Sequence, residues 1–290
     1  MEHKGIPTAF LPEVIHTPEP LLRHPGRLIR SMVHDLIASR QLAWRLLVRN
    51  ISAQYRQSLL GYLWAFLPPI ATTLTWMFLN SQKILNPGSI DIPYPAYVMV
   101  GTLLWHGFVD ALNSPIKLVT SSKSMMAKIN FPREALILAG LGQVLFNFTI
   151  RLVLMLAVFV WFHIAIPSTI FLAPLGILAL MSLGLMIGLL LTPLGVLYQD
   201  IGRGLSMATT MWFFITPVVY APPTRWPASL LVQFNPVSPL LITAREMLTT
   251  GKLTQSMSFL LITGFTFLLM FLGWVLYRSA MPHLIERMGR

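Results

Sequence analysis

The sequence predicts an all-α membrane protein: six transmembrane helices, an N-terminal interface helix, and a re-entrant helical hairpin between helices five and six. Three observations predict it. Apolar residues make up 55% of the 290-residue chain and charged residues only 11%, with a mean hydropathy of +0.67. A soluble domain carries roughly 25% charge, so this surface faces lipid rather than water. Runs free of Asp, Glu, Lys and Arg recur at spanning length. The basic residues divide unequally between the two sides those runs define: sixteen on one, four on the other, with Arg151 inside a run. That bias places the basic side, with both termini, in the cytoplasm.

Residues 1–26 are rich in proline and polar residues and read as an extended cytoplasmic tail. They contain no basic stretch feeding an apolar run, so no cleavable signal is expected there. Residues 27–57 carry Arg27, Arg30, Arg40, Arg45, Arg49 and Arg56 among leucines, isoleucines and Trp44. The segment is too charged to span. A helix in the interface plane, its arginines snorkelling to headgroups, fits it; so does a soluble cytoplasmic helix.

The first span is expected over 62–80. Gly61 permits the bend from the interface segment, Tyr62 and Trp64 sit at headgroup level, and Pro68 and Pro69 kink the helix. The second span covers 94–113, with Asp110 as an interfacial residue near its inner end. The third covers 135–162 and holds Arg151. The uncharged stretch 152–199 is too long for one helix, and Pro167 marks the turn to a fourth span at 171–197. The fifth, 205–220, is short because Pro217 limits it. The longest external connection follows. Its segments 228–234 and 238–248 are apolar enough for short helices dipping into the membrane, which points to a lumen nearby; a surface loop with helical turns fits the composition equally. The sixth span covers 257–277, and 281–290 form a cytoplasmic tail.

The cytoplasmic loop PIKLVTSSKSMMAKINFPRE, residues 115–134, has one acidic residue against four basic ones. A short amphipathic helix ending near Pro132 would expose Met125, Met126 and Phe131 as an apolar knob ringed by charge, suited to a groove on a partner. In QDIGRG, residues 199–204, Asp200 and Arg203 are i,i+3 neighbours that pair at a helix start. They form either a second contact point for the same partner or a charged cap. Arg151 lies about 24 Å along span three, near the edge of a roughly 30 Å core. It either snorkels outward or faces a lumen and attracts an anionic substrate. Trp64, Trp76, Trp212, Phe213, Phe214 and Tyr220 supply rings on which sugars stack, and equally the belts and packing common to membrane helices.

Other classes lose support. A net charge of +11 suits an anionic bilayer face and topology-setting loops, so no nucleic acid is expected. Cysteine is absent and the seven histidines form no HExxH pair, so no metal site is expected. Gly251-Lys252 lacks the preceding phosphate loop and is followed by Leu253, so the chain does not hydrolyse ATP by that route. A membrane acyl- or glycosyltransferase needs His with Asp or Glu at one membrane face, and no such cluster is present. Export of a drug, peptide or simple lipid, or a scaffold role, remain as rivals.

Five stretches in order — YRQSLLGYLWAFLPP at 55–69, GTLLWHGF at 101–108, KINFPREAL at 128–136, LYQDIGRG at 197–204 and NPVSPLLITAREML at 235–248 — resemble the transmembrane subunit of the ABC-2 family of bacterial polysaccharide exporters. The resemblance covers about residues 28–280. It implies a homodimer in the bacterial inner membrane with two copies of a nucleotide-binding ATPase subunit below, ATP and Mg bound on that partner, and no cofactor on this chain. It implies that the loop from Ala127 to Glu134, with Lys128, Phe131, Pro132, Arg133 and Glu134, is a coupling helix, which the apolar Met125 and Met126 adjoin, and that Asp200 and Arg203 contribute a second coupling region. Spans one and five would line the channel, and the half-helices after Pro227 would form its outer gate. The implied cargo is an O-antigen-like glycan on a lipid pyrophosphate or related anchor. Where many members have a basic pair before the Phe-Pro step, Lys128, Ile129 and Asn130 supply one charge. The long N-terminal tail leaves a docking role open.

Overall fold

A computed structural model describes residues 25–56, 61–84, 88–129 and 131–288. The expected tail over 1–24, Gln57 and the Tyr62 side chain lie outside the described residues. Those residues contain helices and no strand.

The interface segment is two helices, α1 (Pro25–Ala38) and α2 (Arg40–Arg56), not one. The break falls at Ser39, which is buried. Each half is tied to a different place. Asp35 of α1 pairs with Arg278 far along the chain, whereas Leu47 of α2 lies against Gly142. A straight helix could not satisfy both attachments.

A 3₁₀ turn at Gly61–Ala65 leads into α3 (Leu67–Ser81). Gly61 has φ +49°, a left-handed conformation that side chains disfavour. Pro68 and Pro69 do not kink the span as expected. They lie in the first turn of α3, where a missing N–H has no intrahelical partner to lose.

The helix at the place of the expected second span is longer than expected. α4 (Tyr94–Ser121) runs straight through Pro115. The lost bond is tolerated because Ser114, Ile116, Leu118 and Val119 around it are buried against neighbouring helices. Much of the expected loop is therefore helix, and Asp110 lies eleven residues before the end of α4 rather than at its inner edge. After the short α5 (Lys123–Lys128) comes α6 (Glu134–Trp161). A second 3₁₀ turn, Ser168–Leu172, then feeds α7 (Ala173–Leu197).

α4 is the axis of the fold. Nearly every side chain from Ala96 to Leu112 is buried, mainly between α6 and α7. Gly184 and Gly188 of α7 set the closest approach: a Cβ at Gly184 would lie 2.5 Å from the Phe108 carbonyl oxygen, and one at Gly188 would collide with that of Leu112. Small residues four apart let two helix backbones meet in this way.

α8 (Gln199–Ile215) starts six residues earlier than expected and stops before Pro217. The connection expected to be external forms α9 (Ala228–Phe234) and α10 (Val237–Thr249), close to the two predicted short helices. α11 (Ser256–Met288) continues well past the predicted end of span six, so residues 281–288 of the expected tail are helical. Tyr277 at the predicted end and Met281 and Leu284 beyond it are buried, and this packing carries the helix onward. Among the described residues, Glu134–Trp161, Ser168–Leu197 and Ser256–Pro282 are long and apolar enough to cross a membrane.

Candidate functional site

The segment between α4 and α6 packs inward more than the sequence suggests. Met126 is not an exposed knob. It is 5% exposed and lies in a cluster with Val119, Leu136, Val196, Tyr277 and Met281. Met125 and Phe131 are half-buried against the same cluster, and the Arg49 guanidinium of α2 reaches the Met125 sulfur at 3.9 Å. Ser124, Lys128, Ile129 and Pro132 face out, with Ile129 58% exposed. An apolar residue in a polar segment is cheaply buried wherever the fold offers a cluster, at about 1.5–3 kcal/mol each, so the methionines turn inward.

Glu134 is likewise turned in. It is buried, and Arg278 Nη1 donates to its carboxylate at 2.7 Å. Arg278 Nη2 donates to Asp35 Oδ2 at 2.6 Å, with Ser31 Oγ at 3.3 Å. The Tyr277 hydroxyl donates to the Arg133 carbonyl oxygen at 3.2 Å. One arginine thus joins α1, the start of α6 and α11 directly behind the outward-facing residues. Arg278 was read only as a topology charge; no local pattern links it to Glu134, 144 positions away.

Asp200 and Arg203 approach at 3.8 Å in the first turn of α8 and are both highly exposed. Such a pair contributes little to stability, and it leaves both charges open to solvent.

The aromatic residues do not form one lining. Trp76 meets Phe213 and Phe214, which meet each other, and Phe213 meets Trp105, which meets Phe108; these tilted and edge-on contacts have centroid separations of 5.3–6.5 Å. Trp212 meets Phe108 edge-on at 5.6 Å. Its indole N–H donates to Asn235 Oδ1 at 2.9 Å, and Asn235 Nδ2 donates to Thr216 Oγ1 at 2.8 Å. Trp212 therefore tethers the α9–α10 turn to the end of α8. Phe214 is 56% exposed; the Tyr220 hydroxyl donates to the Phe214 carbonyl oxygen. Trp64, also exposed, lies apart on the first 3₁₀ turn.

Arg151 neither snorkels nor stands alone. Its Nη1 lies 2.7 Å from Asp110 Oδ2, because a helical side chain leans toward its own N-terminus and so reaches down to the middle of α4. The contact is ionic rather than an aligned hydrogen bond: neither atom has a hydrogen-bond partner among the described residues. Both residues line a cavity of about 1100 Å³.

Arg245 was missed entirely. Counted from sequence as an external charge, it is 3% exposed. It donates to the Val218 and Pro217 carbonyl oxygens at 2.9 and 3.0 Å, and its guanidinium sits 3.7 Å over the Tyr97 ring. Tyr97 in turn donates to the Tyr220 carbonyl oxygen. The chain leaving α8 has no helical partners for these carbonyls, and one arginine supplies them.

Residues 41–249 match the family model described as ABC-2 type transporter, well over half of the chain. This chain belongs to the ABC-2 type transporter family. The matched stretch of the ABC-2 chain runs from α2 to the end of α10, so it includes the segment between α4 and α6, the start of α8 and the α9–α10 connection. The ABC-2 chain is 25% identical over 259 residues to the O-antigen export system permease protein RfbA of Myxococcus xanthus, covering 88% of this chain and 98% of that one. It is 23% identical over 224 residues to a protein of the same name from Klebsiella pneumoniae, covering 75% and 84%. It is 24% identical over 244 residues to the polysialic acid transport protein KpsM of Escherichia coli, covering 81% and 91%.

Proposed function

We propose that this chain is the membrane-spanning subunit of an ATP-driven exporter that moves a lipid-linked, O-antigen-like polysaccharide across the bacterial inner membrane. The observation that carries this is the alignment with an O-antigen export permease over 98% of that protein's length. In this reading two copies pair and two copies of a separate ATPase subunit bind ATP and Mg. α3, α4, α6, α7, α8 and α11 make six spans with both termini cytoplasmic. The sixteen-to-four division of basic residues supports that orientation.

Coupling runs through the face formed by Lys128, Ile129 and Pro132 together with the exposed Asp200–Arg203 pair. Motion imposed on that face passes to α6 and, through Arg278, to α1 and α11 at once. α9 and α10 form the outer gate region, held to α8 by Trp212 and Asn235 and by the Arg245 clamp. Phe214 and Trp64 are the rings left exposed for sugar.

The test is genetic and chemical. Deleting the gene should leave lipid-linked glycan accumulating on the cytoplasmic leaflet, and restoring it should move that glycan outward. Normal surface glycan in the deletion strain, with no accumulation inside, would refute the proposal.

A further inference from the structure

Two polar stripes face one another across the cavity that Arg151 and Asp110 line. On α6, Gln143, Asn147 and Arg151 recur every fourth residue; on α4, Asp110, Ser114 and Lys117 recur at spacings of four and three. Each set therefore shares one helix face, and all six residues line the same cavity of about 1100 Å³. The cavity also reaches Lys123 and Arg203, at the end of the bundle where α4 stops and α8 starts. From there to Asp110 is about 17 Å of α4. Four cations line it against the single carboxylate of Asp110. One of them, Lys123, is engaged with the Val196 carbonyl oxygen. The Nε of Arg151 is buried without a hydrogen-bond partner among the described residues.

Beside this polar cavity lies an almost wholly apolar groove of about 360 Å³ between the first 3₁₀ turn, α3 and α6, with Phe66, Ile70, Val153, Leu154 and Ala157 in its walls. The two hollows adjoin on both walls. Trp64 and Ala65 line the polar one and Leu63 and Phe66 the apolar one; Arg151 lines the first, Val153 and Leu154 the second.

We propose that the two hollows form one amphipathic site for the lipid carrier of the cargo: its phosphate and first sugar lie against Arg151 and Lys117, and its hydrocarbon lies in the α3–α6 groove. The inference rests on the function proposed above and names where that substrate is held. A buried cation with unused donor capacity, in a cavity of net positive charge, calls for an anion. The carboxamides and hydroxyl of the stripes suit sugar hydroxyls. The volume exceeds what a bare phosphate or a simple phospholipid headgroup fills, and it stands at the upper end of typical small-ligand pockets. Asp110 holds Arg151 across the cavity when no anion is bound.

The full-length chain in nanodiscs of phosphatidylcholine is titrated with a radiolabelled long-chain lipid diphosphate bearing one sugar. The wild type should bind saturably. Arg151→Gln should weaken binding about tenfold or more, and so should the double change Asp110→Asn/Arg151→Gln, which leaves no unpaired buried charge to unfold the chain. Ala157→Trp, at an exposed position in the groove, should weaken binding comparably by filling it. Inorganic pyrophosphate and phosphatidylglycerol should leave most of the probe bound. Unchanged affinity in the double variant or in Ala157→Trp overturns the site. Displacement by phosphatidylglycerol as effective as by unlabelled probe also overturns it, because the site is then a phospholipid site. Export from cells carrying the wild-type chain separates the two levels: intact export without selective binding removes only this site, and export independent of the chain removes the function beneath it.

Discussion

Arg278 gives the most discriminating stability experiment. Its side chain is 18% exposed and bridges Glu134, 4% exposed, and Asp35, 31% exposed. Replacing Arg278 by Met strands the Glu134 carboxylate in the core without a counter-charge, which costs about 3–5 kcal/mol for a buried pair broken on one side. Replacing Asp35 by Asn leaves Arg278 still paired with Glu134 and removes only the more solvated partner, about 1 kcal/mol or less. The two variants should therefore differ by about 2–4 kcal/mol, more than tenfold in the unfolding constant. The double change Arg278→Met/Glu134→Met should recover much of the loss, since apolar residues of similar size replace a buried pair at little net cost. The assay is unfolding of the detergent-solubilised chain by SDS, followed by circular dichroism. Equal destabilisation by Arg278→Met and Asp35→Asn, with no recovery in the double variant, would show that Glu134 is not an effectively buried charge and that the bridge joins nothing.

Other outcomes follow from the same packing. Met126→Ala should destabilise the chain by about 2–5 kcal/mol while surviving protein still co-purifies with the ATPase; Ile129→Ser should do the reverse, and the same two assays distinguish them. Trp212→Ala should cost about 3–5 kcal/mol of stability, and Asn235→Ala about 1–3, both read by SDS unfolding; unchanged stability with lost export would make Trp212 a sugar platform instead of a tether. Reporter fusions after Gly88 and Thr250 should read external, and fusions after Ser122 and Arg290 cytoplasmic; a cytoplasmic signal at Thr250 would break the six-span arrangement.

The long apolar helices were legible because lipid demands continuous apolar runs and punishes unsatisfied backbone. The third and fourth spans fall within a few residues of α6 and α7 plus its leading turn. Pattern failed where tertiary packing overrides local preference. Pro115 and Pro68 look alike as helix breakers, yet one is carried through by buried neighbours and the other starts a helix. Met125 and Met126 look like a docking knob because sequence shows that they are apolar among charges, not that α11 extends far enough to cover them. The ion pairs were the least visible. Arg151 and Asp110 stand 41 positions apart, and Arg278 and Asp35 stand 243 apart; only the helix packing brings each pair together. The Arg245 clamp left a trace in the TAREML stretch at 243–248, but a charge in an external loop is ordinarily solvated, and nothing local says that this one is buried.

The central claim is that this chain conducts a lipid-linked glycan and takes its energy from another subunit. The direct measurement is transfer of a fluorescent lipid-linked glycan between leaflets of proteoliposomes containing this chain, with and without the proposed partner ATPase subunit. Transfer should require the chain, the ATPase and hydrolysable ATP together, and the chain alone should turn over no ATP. ATP-independent transfer by the chain alone, or ATP hydrolysis by the complete complex with no glycan moved, would contradict the account.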